Sequence, residues 1–313
     1  MNKLTFLNRL YYLIAILLNQ KVKQQDLIIA APGGYINSYY GFENKLFVLS
    51  LYKRILKKNI MMAPQSIGPL SKRDEKVITD YLPYFSDFLV RDECSYQRIR
   101  KLSKSKKIKK VYDAAFLFKP VGYSEKSERK RVAISVREWS YDNRNQETYC
   151  ELIRGFVNEL VKQKIEVVFL STCQGNPEYL DDSLLAKKIK ASLPKDIREF
   201  VTVDNYYYSL EELRFELTQY DFVIGTRLHM CILSWLSGTP ALNISYEEKG
   251  KECYDYLELS EYSIDYNESG KSLIQLQQFI QLTEAAKRKH FSKIDVIHEE
   301  MKWQLNDLIP QKK

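Results

Sequence analysis

The sequence has 313 residues, 45% of them hydrophobic, and carries 48 Lys and Arg against 40 Asp and Glu, for a formal net charge of +8. With only 11 Gly and 9 Pro and no internal repeat, it excludes fibrous, disordered and solenoid proteins and predicts a globular chain long enough for two domains. The basic excess favours anionic partners without identifying one.

The first predicted element is an apolar helix over residues 4–18. Its uninterrupted apolar run, 10–18, is shorter than the roughly 20 residues that cross a bilayer. We predict a core helix under a sheet, with peripheral contact to the inner membrane surface as the alternative. No cleavage signature follows the helix, and the five cysteines are an odd number without a C-x-x-C pair. We therefore expect a cytoplasmic protein with reduced thiols.

Short apolar or β-branched runs alternate with helical patterns along the chain, which predicts an α/β fold of two Rossmann-like parallel-sheet domains. Predicted strands span 27–31, 60–63, 88–90, 108–112, 132–136, 166–170, 200–203, 222–224 and 241–244. Predicted helices begin near Glu43, Lys72 and Cys94 and then span 147–163, 180–191, 210–218 and 228–236. A polar linker, 119–130, separates domains at 1–122 and 131–268, and a helical tail follows at 269–313.

The densest basic run, 101–110, contains six lysines but no arginine or aromatic residue, and no nucleic-acid-binding signature accompanies it. We therefore expect no nucleic-acid partner. A solvated loop and contact with anionic phospholipid remain open for this run. In the tail, His290 and His298 are expected on solvated helix faces.

The most informative segment is 221–250, DFVIGTRLHMCILSWLSGTPALNISYEEKG. Its first strand ends in a tight turn that carries Arg227 and His229 to the start of an apolar helix, where backbone N–H groups and the helix dipole favour an anion. Arginine adds a planar pair of donors, and histidine exchanges a proton near neutral pH. The next strand returns Lys249 towards this turn. An ion pair for Arg227 and a helix cap for His229 are the structural alternatives.

Further candidates follow other predicted strands, because parallel strands present functional groups at their carboxyl ends. Arg137 leaves 132–136, with an ion pair to Glu138 or Asp142 as its alternative. Glycines after 27–31 allow close approach of a ligand to the backbone. A tight turn would use two glycines equally well. Polar residues after 60–63 are expected to be exposed and to suit sugar hydroxyls, although turn structure explains the neighbouring Gly68 and Pro69 equally well. These acceptor-binding or cleft-lining candidates are Gly33, Gly34, Gln65 and Ser66. No dinucleotide fingerprint, phosphate loop or metal-ligand cluster is present.

Taken in order, seven segments resemble the polysaccharide pyruvyl transferase family. They are PGGYI (32–36), QSIGPL (65–70), VRDECS (90–95), DAAF (113–116), VAISVR (132–137), DFVIGTRLHM (221–230) and GTPALNISYEEKG (238–250). The resemblance covers residues 27 to about 265 and implies a fold similar to GT-B glycosyltransferases. It also implies a shortened first domain, because the family's early N-x-G-D element is missing.

The implied activity is transfer of a pyruvyl group from phosphoenolpyruvate to two hydroxyls of a sugar or lipid-linked oligosaccharide, in capsular or exopolysaccharide synthesis without a cofactor. Arg227 and His229 match the family's R-L-H turn, Arg137 its strand-end arginine and Lys249 its Y-x-x-K lysine.

The three matched cations would hold phosphate and carboxylate. His229 would protonate the methylene carbon or the departing phosphate. Asp113 is a base for the sugar hydroxyl or a turn cap. A nucleotide-sugar glycosyltransferase and an inactive, shortened family member acting as an assembly partner are the alternative functions.

Overall fold

The computed structural model of the chain describes residues 3–122, 130–139, 145–174, 181–266 and 270–308. The chain divides into two compact units, one of Met1–Ala114 with Met301–Lys313 and the other of Ala115–Glu300. Each unit contains one parallel β-sheet with helices, as predicted from the alternating pattern. Much of the predicted linker, 123–129, lies outside the described residues.

The first unit is built on a five-stranded sheet in which every strand pair is parallel. Its strands are β1 (Leu27–Ala30), β2 (Gly33–Ile36), β3 (Asn59–Ile67), β4 (Asp87–Val90) and β5 (Ile108–Lys110). The order is β1-β3-β4-β5, and β2 also pairs with β3. Eight of the nine residues of β3 are buried, which is the pattern of a central parallel strand covered on both faces.

Apart from a short second helix that the sequence did not indicate, the helices of the first unit begin within one residue of the predicted starts. They are α1 (Lys3–Leu18), α2 (Gln20–Lys23), α3 (Glu43–Arg54), α4 (Lys72–Tyr81) and α5 (Glu93–Leu102). Ser71 and Asp92 cap α4 and α5 by accepting hydrogen bonds from the backbone N–H groups of Asp74 and Ser95.

Helix α1 differs from the predicted core helix because it packs on α3 rather than directly under the sheet. Arg9 pairs with Glu43 at 2.8 Å, and its guanidinium lies 4.6 Å from the ring centroid of Phe47. Ile16 is buried, but seven large apolar side chains are exposed: Leu7, Leu10, Tyr11, Tyr12, Ile14, Leu17 and Leu18. Because the sequence of α1 is apolar on every side, it could not indicate which side packs against the protein. No helix within the described ranges is long and apolar enough to cross a membrane.

The second unit contains a six-stranded, fully parallel sheet in the order β11-β10-β9-β6-β7-β8. Its strands are β6 (Arg131–Ser135), β7 (Glu166–Phe169), β8 (Val201–Val203), β9 (Phe222–Gly225), β10 (Ala241–Ser245) and β11 (Ser263–Asp265). From β6 the chain winds outward through β7 and β8, returns to β9 on the other side of β6, and continues to β10 and β11. The winding direction therefore reverses between β6 and β9, which makes a topological switch point.

The helices of the second unit follow the predicted ones closely, with two additions in the connections. They are α6 (Gln146–Lys162), α7 (Asp182–Ser192), α8 (Lys195–Arg198), α9 (Leu210–Leu217), α10 (Leu228–Leu236) and α11 (Glu248–Tyr256). The helical tail forms α12 (Ser272–Ile280) and α13 (Glu284–Asn306).

The tail histidines correct one expectation, because α13 is not solvated on every face. His298 is buried, with Nδ1 2.8 Å from the carbonyl oxygen of Phe116. His290 is half-buried, its ring 6.0 Å from those of Trp235 and Tyr262, and burial lowers its pKa. Packing of α13 on the second unit therefore places both rings against neighbouring residues.

Candidate functional site

The switch point between β6 and β9 brings two predicted arginines to one edge of the second sheet. Ser135 and Gly225, the last residues of these strands, are paired in register. Arg137 and Arg227 each follow two residues later. Ligands of open α/β sheets bind outside the carboxyl ends of the strands at such a point, so this edge is the candidate site.

Arg227 is the N-cap residue of α10 and forms a two-bond ion pair with Asp182, the first residue of α7. Its Nε and Nη2 donate to the two carboxylate oxygens at 2.7 and 2.8 Å. The Asp182 side chain has no solvent exposure, whereas that of Arg227 is 20% exposed. Arg227 therefore forms an ion pair, which was the structural alternative predicted for it. The pair uses Nε and Nη2 and does not use Nη1.

The electrostatics of this pair reflect its burial. Burial lowers the pKa of Arg227, but hydrogen bonds and charge from Asp182 outweigh this effect, so its pKa is raised. Burial raises the pKa of Asp182, and Arg227 opposes that shift only in part. The positive charge of Arg137 also acts on Asp182 in the lowering direction, which places both arginines in one electrostatic neighbourhood.

Arg137 is held by aromatic rings. Its guanidinium carbon lies 5.0 Å from the ring centroid of Trp139 and 4.6 Å from that of Tyr246, and Nη1 donates to the Tyr246 hydroxyl. Its Nε is buried and donates to no partner within the described ranges. Asp142, one predicted partner, lies outside those ranges. Arg137 thus keeps one buried donor without a partner among the described residues.

Lys249 completes the group of three predicted cations around Tyr246. Its Nζ lies 5.8 Å from the Tyr246 ring centroid and 2.5 Å from Oε2 of Glu247. Tyr246 also interacts electrostatically with Arg227. The structure therefore brings Arg137, Arg227 and Lys249 together at one edge of the second unit, as the order of strands requires.

His229 lies in the first turn of α10. Eight of the nine residues of this helix are buried, and His229 is the exposed one. Its side chain is thus presented at the helix amino terminus, two residues after Arg227, where the helix dipole favours a negatively charged ligand.

The turns after β6 and β9 are joined by a tyrosine that the sequence did not indicate. The Tyr149 hydroxyl lies 2.6 Å from Oγ1 of Thr226 and accepts a hydrogen bond from the backbone N–H of Arg137 at 3.3 Å. Its ring stacks on Tyr266 at 4.1 Å with an interplanar angle of 3°. Tyr149, on the helix that follows β6, thus links the Arg137 turn to the Arg227 turn, which lies 77 residues further along the chain.

Gly225 allows the start of α10 to approach the end of β9. A Cβ atom at this position would lie 2.4 Å from the buried Sγ of Cys231, which no real side chain tolerates. We expect Gly225→Ala to lower the free energy of unfolding by about 1–3 kcal/mol through overpacking, measured by urea denaturation. Gly225→Ala combined with Cys231→Ala should recover part of this loss relative to Cys231→Ala alone; equal losses in both backgrounds would contradict the explanation.

The predicted acceptor residues lie in the first unit, where β3 corrects one expectation. Gln65 and Ser66 are buried rather than exposed, because β3 continues to Ile67. Nε2 of Gln65 donates to the carbonyl of Ala31 at 2.5 Å, and its Oε1 has no partner in the described part of the chain. Gly33 pairs in register with Gln65, and Gly34 follows it in β2.

Ser66 and Asp113 belong to a buried polar network in the first unit. Nε of Arg91 donates to Ser66 Oγ at 2.8 Å, and Ser66 Oγ donates to Asp92 Oδ2 at 2.7 Å. Nη1 of Arg91 pairs with Asp113, and both of these side chains are almost fully buried. Arg91 and Asp92 were not predicted as site residues, although both belong to the VRDECS segment. The role of Asp113 as a base stays a prediction.

Comparison with known proteins places this arrangement in context. The family model described as polysaccharide pyruvyl transferase matches residues 1–248. The amylovoran biosynthesis protein AmsJ of Erwinia amylovora is 29% identical over 266 residues, which cover 78% of this chain and 62% of AmsJ. The chain thus spans less than two thirds of the length of that relative.

Solved structures with a similar fold are GT-B-like proteins. A UDP-forming trehalose-phosphate synthase from Burkholderia xenovorans matches with a TM-score of 0.63 at 10% identity, over 98% of this chain and 79% of the synthase. HepE of Anabaena, in complex with UDP-glucose, matches with a TM-score of 0.60 at 12% identity, over 94% of this chain and 82% of HepE. At these identities the likeness establishes the fold alone.

Proposed function

The chain belongs to the polysaccharide pyruvyl transferase family, and on that premise we propose that it transfers a pyruvyl group from phosphoenolpyruvate to two hydroxyls of a sugar. We place this reaction in exopolysaccharide or capsule synthesis, at the cytoplasmic face of the membrane. The observation that carries the proposal is the group of Arg137, Arg227 and Lys249 around Tyr246 at the switch point of the second sheet.

The charges of this group suit a ligand with two anionic groups. Phosphoenolpyruvate carries a phosphate and a carboxylate, and a planar guanidinium binds either through two parallel hydrogen bonds. The rings of Trp139 and Tyr246 hold the guanidinium of Arg137 in one orientation, which favours a fixed position for an anion contact. Arg227 is oriented by Asp182, which favours a fixed position for its remaining donor.

The reaction needs one proton donor and one anion clamp. A proton adds to the methylene carbon, one sugar hydroxyl bonds to the adjacent carbon and loses its proton, and a second hydroxyl replaces the phosphate, which leaves with that hydroxyl's proton. His229, exposed at the start of α10, supplies the proton to the carbon or to the leaving phosphate in this scheme. The three cations stabilise the charge on the departing phosphate.

Calorimetry with phosphoenolpyruvate and with UDP-glucose tests the proposal against a nucleotide-sugar glycosyltransferase. We expect the chain to bind phosphoenolpyruvate and not UDP-glucose, because the three cationic side chains lie close together around Tyr246 and suit a small donor whose phosphate and carboxylate are adjacent. NMR detection of the ketal methyl group, with an acceptor oligosaccharide present, then tests the transfer. Binding of UDP-glucose alone would overturn the proposal in favour of the glycosyltransferase.

We further propose that α1 holds the chain on the membrane surface where lipid-linked acceptors reside. Its seven exposed apolar side chains suit the boundary between headgroups and acyl chains. Basic residues follow α1 directly in α2, and Lys58, the residue before β3, lies beside them, since its Nζ donates to the carbonyl of Lys23 at 2.6 Å. Basic residues at a membrane surface each add about 1 kcal/mol of attraction to anionic lipid.

Co-sedimentation with phosphatidylglycerol–phosphatidylcholine vesicles tests the role of α1. We expect Leu10→Glu with Leu17→Glu to weaken binding by about tenfold or more, because two apolar side chains no longer enter the bilayer. The matched control is Leu273→Glu with Ile274→Glu, which adds the same two charges at exposed apolar positions of α12. Vesicle binding that survives the double substitution unchanged would exclude α1 as the contact.

A further inference from the structure

The loop between β8 and α9 presents tyrosine rings to solvent. Tyr206 is 56% exposed and Tyr207 is 73% exposed. The loop follows the carboxyl end of β8, so it lies at the same edge of the second sheet as Arg137 and Arg227. Contiguous exposed aromatic residues of this kind often mark a binding surface.

The ring of Tyr206 and the backbone of this loop are held in place by Asp204, Tyr208 and the cap of α9. Oδ1 of Asp204 accepts from the backbone N–H of Tyr206 at 2.8 Å, and Oδ2 accepts from the hydroxyl of Tyr208 at 2.6 Å. The rings of Tyr206 and Tyr208 meet edge to face at 4.7 Å. The Tyr206 hydroxyl donates to Glu212, whose carboxylate also forms the capping box with Ser209. The loop is therefore organised before any ligand binds, which lowers the entropy cost of binding.

The sheet order fixes how far this loop lies from the candidate site. The backbone N–H of Asp204 donates to the carbonyl of Phe169 at 2.9 Å, and that of Leu170 donates to the carbonyl of Ile134 at 3.0 Å. Two strand spacings, about 10 Å, therefore separate the end of β8 from the end of β6, which leads into Arg137. A short saccharide chain spans that distance.

We propose that Tyr206 and Tyr207 form a platform for the saccharide chain of the acceptor, and this inference rests on the proposed function. A pyranose ring has an apolar C–H face that stacks on an aromatic ring, and hydroxyls around its edge that hydrogen-bond to carboxylates and phenols. The loop offers both kinds of partner, because the carboxylates of Asp204 and Glu212 lie beside the exposed tyrosine rings. These carboxylates disfavour an anionic polymer such as nucleic acid.

The acceptor saccharide thus contacts the second unit, next to the donor clamp. The sequence analysis predicted instead that the acceptor contacts Gly33, Gly34, Gln65, Ser66 and Asp113, which belong to the first unit. Three of these, Gln65, Ser66 and Asp113, are buried, whereas the tyrosine platform is accessible.

Affinity electrophoresis in native gels containing one of three uncharged polysaccharides, dextran, galactomannan or pullulan, tests the platform. We expect at least one polysaccharide to retard the wild-type chain, and Tyr206→Ala with Tyr207→Ala to weaken that retardation by about fivefold. Tyr207→Phe should keep it, because the stacking face remains. The control is Trp303→Ala, a 72% exposed aromatic residue on α13 that belongs to neither proposed binding surface.

Two results would overturn the inference: no retardation of the wild type by any of the three polysaccharides, or equal retardation of the wild type and the double variant. The latter would instead favour a protein contact for the rings. Calorimetry with phosphoenolpyruvate separates this outcome from failure of the proposed function. Tyrosine-dependent retardation without phosphoenolpyruvate binding would reject the pyruvyl donor and retain the saccharide platform.

Discussion

Arg227→Ala is expected to lower the free energy of unfolding by about 3–5 kcal/mol, because it leaves a buried carboxylate without its partner. The Asp182 side chain has no solvent exposure, and Arg227 donates two hydrogen bonds to it. Urea denaturation near neutral pH measures the loss. A change below about 1 kcal/mol, the worth of a surface ion pair, would contradict this account.

The pH dependence of the Arg227→Ala loss has a definite sign. Burial raises the pKa of Asp182, and removing Arg227 takes away a group that opposed this shift. A carboxyl whose pKa is raised in the folded state is tolerated when protonated and destabilises the fold as the pH rises through that pKa. The difference between wild type and Arg227→Ala should therefore be smaller at about pH 4 than near neutral pH.

A second substitution separates the structural role of Arg227 from donor binding. Arg227→Ala combined with Asp182→Ala removes both charges, so no buried carboxylate remains unpaired, and we expect much of the lost stability to return. The folded double variant should still fail to bind phosphoenolpyruvate in calorimetry. Unchanged binding by the double variant would show that Arg227 only supports the fold.

The fold was largely predictable because buried parallel strands are short, continuous apolar runs. The predicted strands in the second unit lie within one residue of β6, β7, β8, β9 and β10. The sequence missed β2 and β11, since GGYI begins with two glycines of low strand propensity and SID has only three residues at the sheet edge. The order of the strands in each sheet could not be predicted either, because the pairing of strands depends on contacts between segments that are distant in sequence.

The site was predictable only where chemistry follows a strand directly. Arg137 and Arg227 could be found because parallel strands deliver such residues to a common edge. Their partners Asp182 and Tyr149 come from helices, and nothing in their local sequence indicates the contact. The prediction that Gln65 is exposed was wrong because the strand was predicted to end at 63, before Pro64. In the structure β3 continues through Pro64 to Ile67 and buries Gln65.

Arg137→Ala should greatly weaken donor binding while lowering the stability of the fold only slightly. In Arg227→Ala, by contrast, the loss of stability is large. Its described contacts are the Tyr246 hydroxyl and two aromatic rings, so removing it exposes no buried charge. We expect the free energy of unfolding to fall by about 1 kcal/mol. Affinity for phosphoenolpyruvate should fall by about 100-fold or more, because truncating one side of a buried charged contact costs about 2–5 kcal/mol.

Arg131→Ala is the matched control for Arg137→Ala, because Arg131 begins the same strand. Its guanidinium carbon lies 5.1 Å from the Tyr220 ring centroid, so its removal loses a similar ring contact at the opposite edge of the sheet. Calorimetry should show unchanged phosphoenolpyruvate affinity for Arg131→Ala. Arg137→Lys should bind with intermediate affinity, since it keeps the charge and loses the planar pair of donors. If Arg137→Ala and Arg131→Ala bind equally well, the anion clamp does not include the strand-end arginine, and the donor must be held without β6.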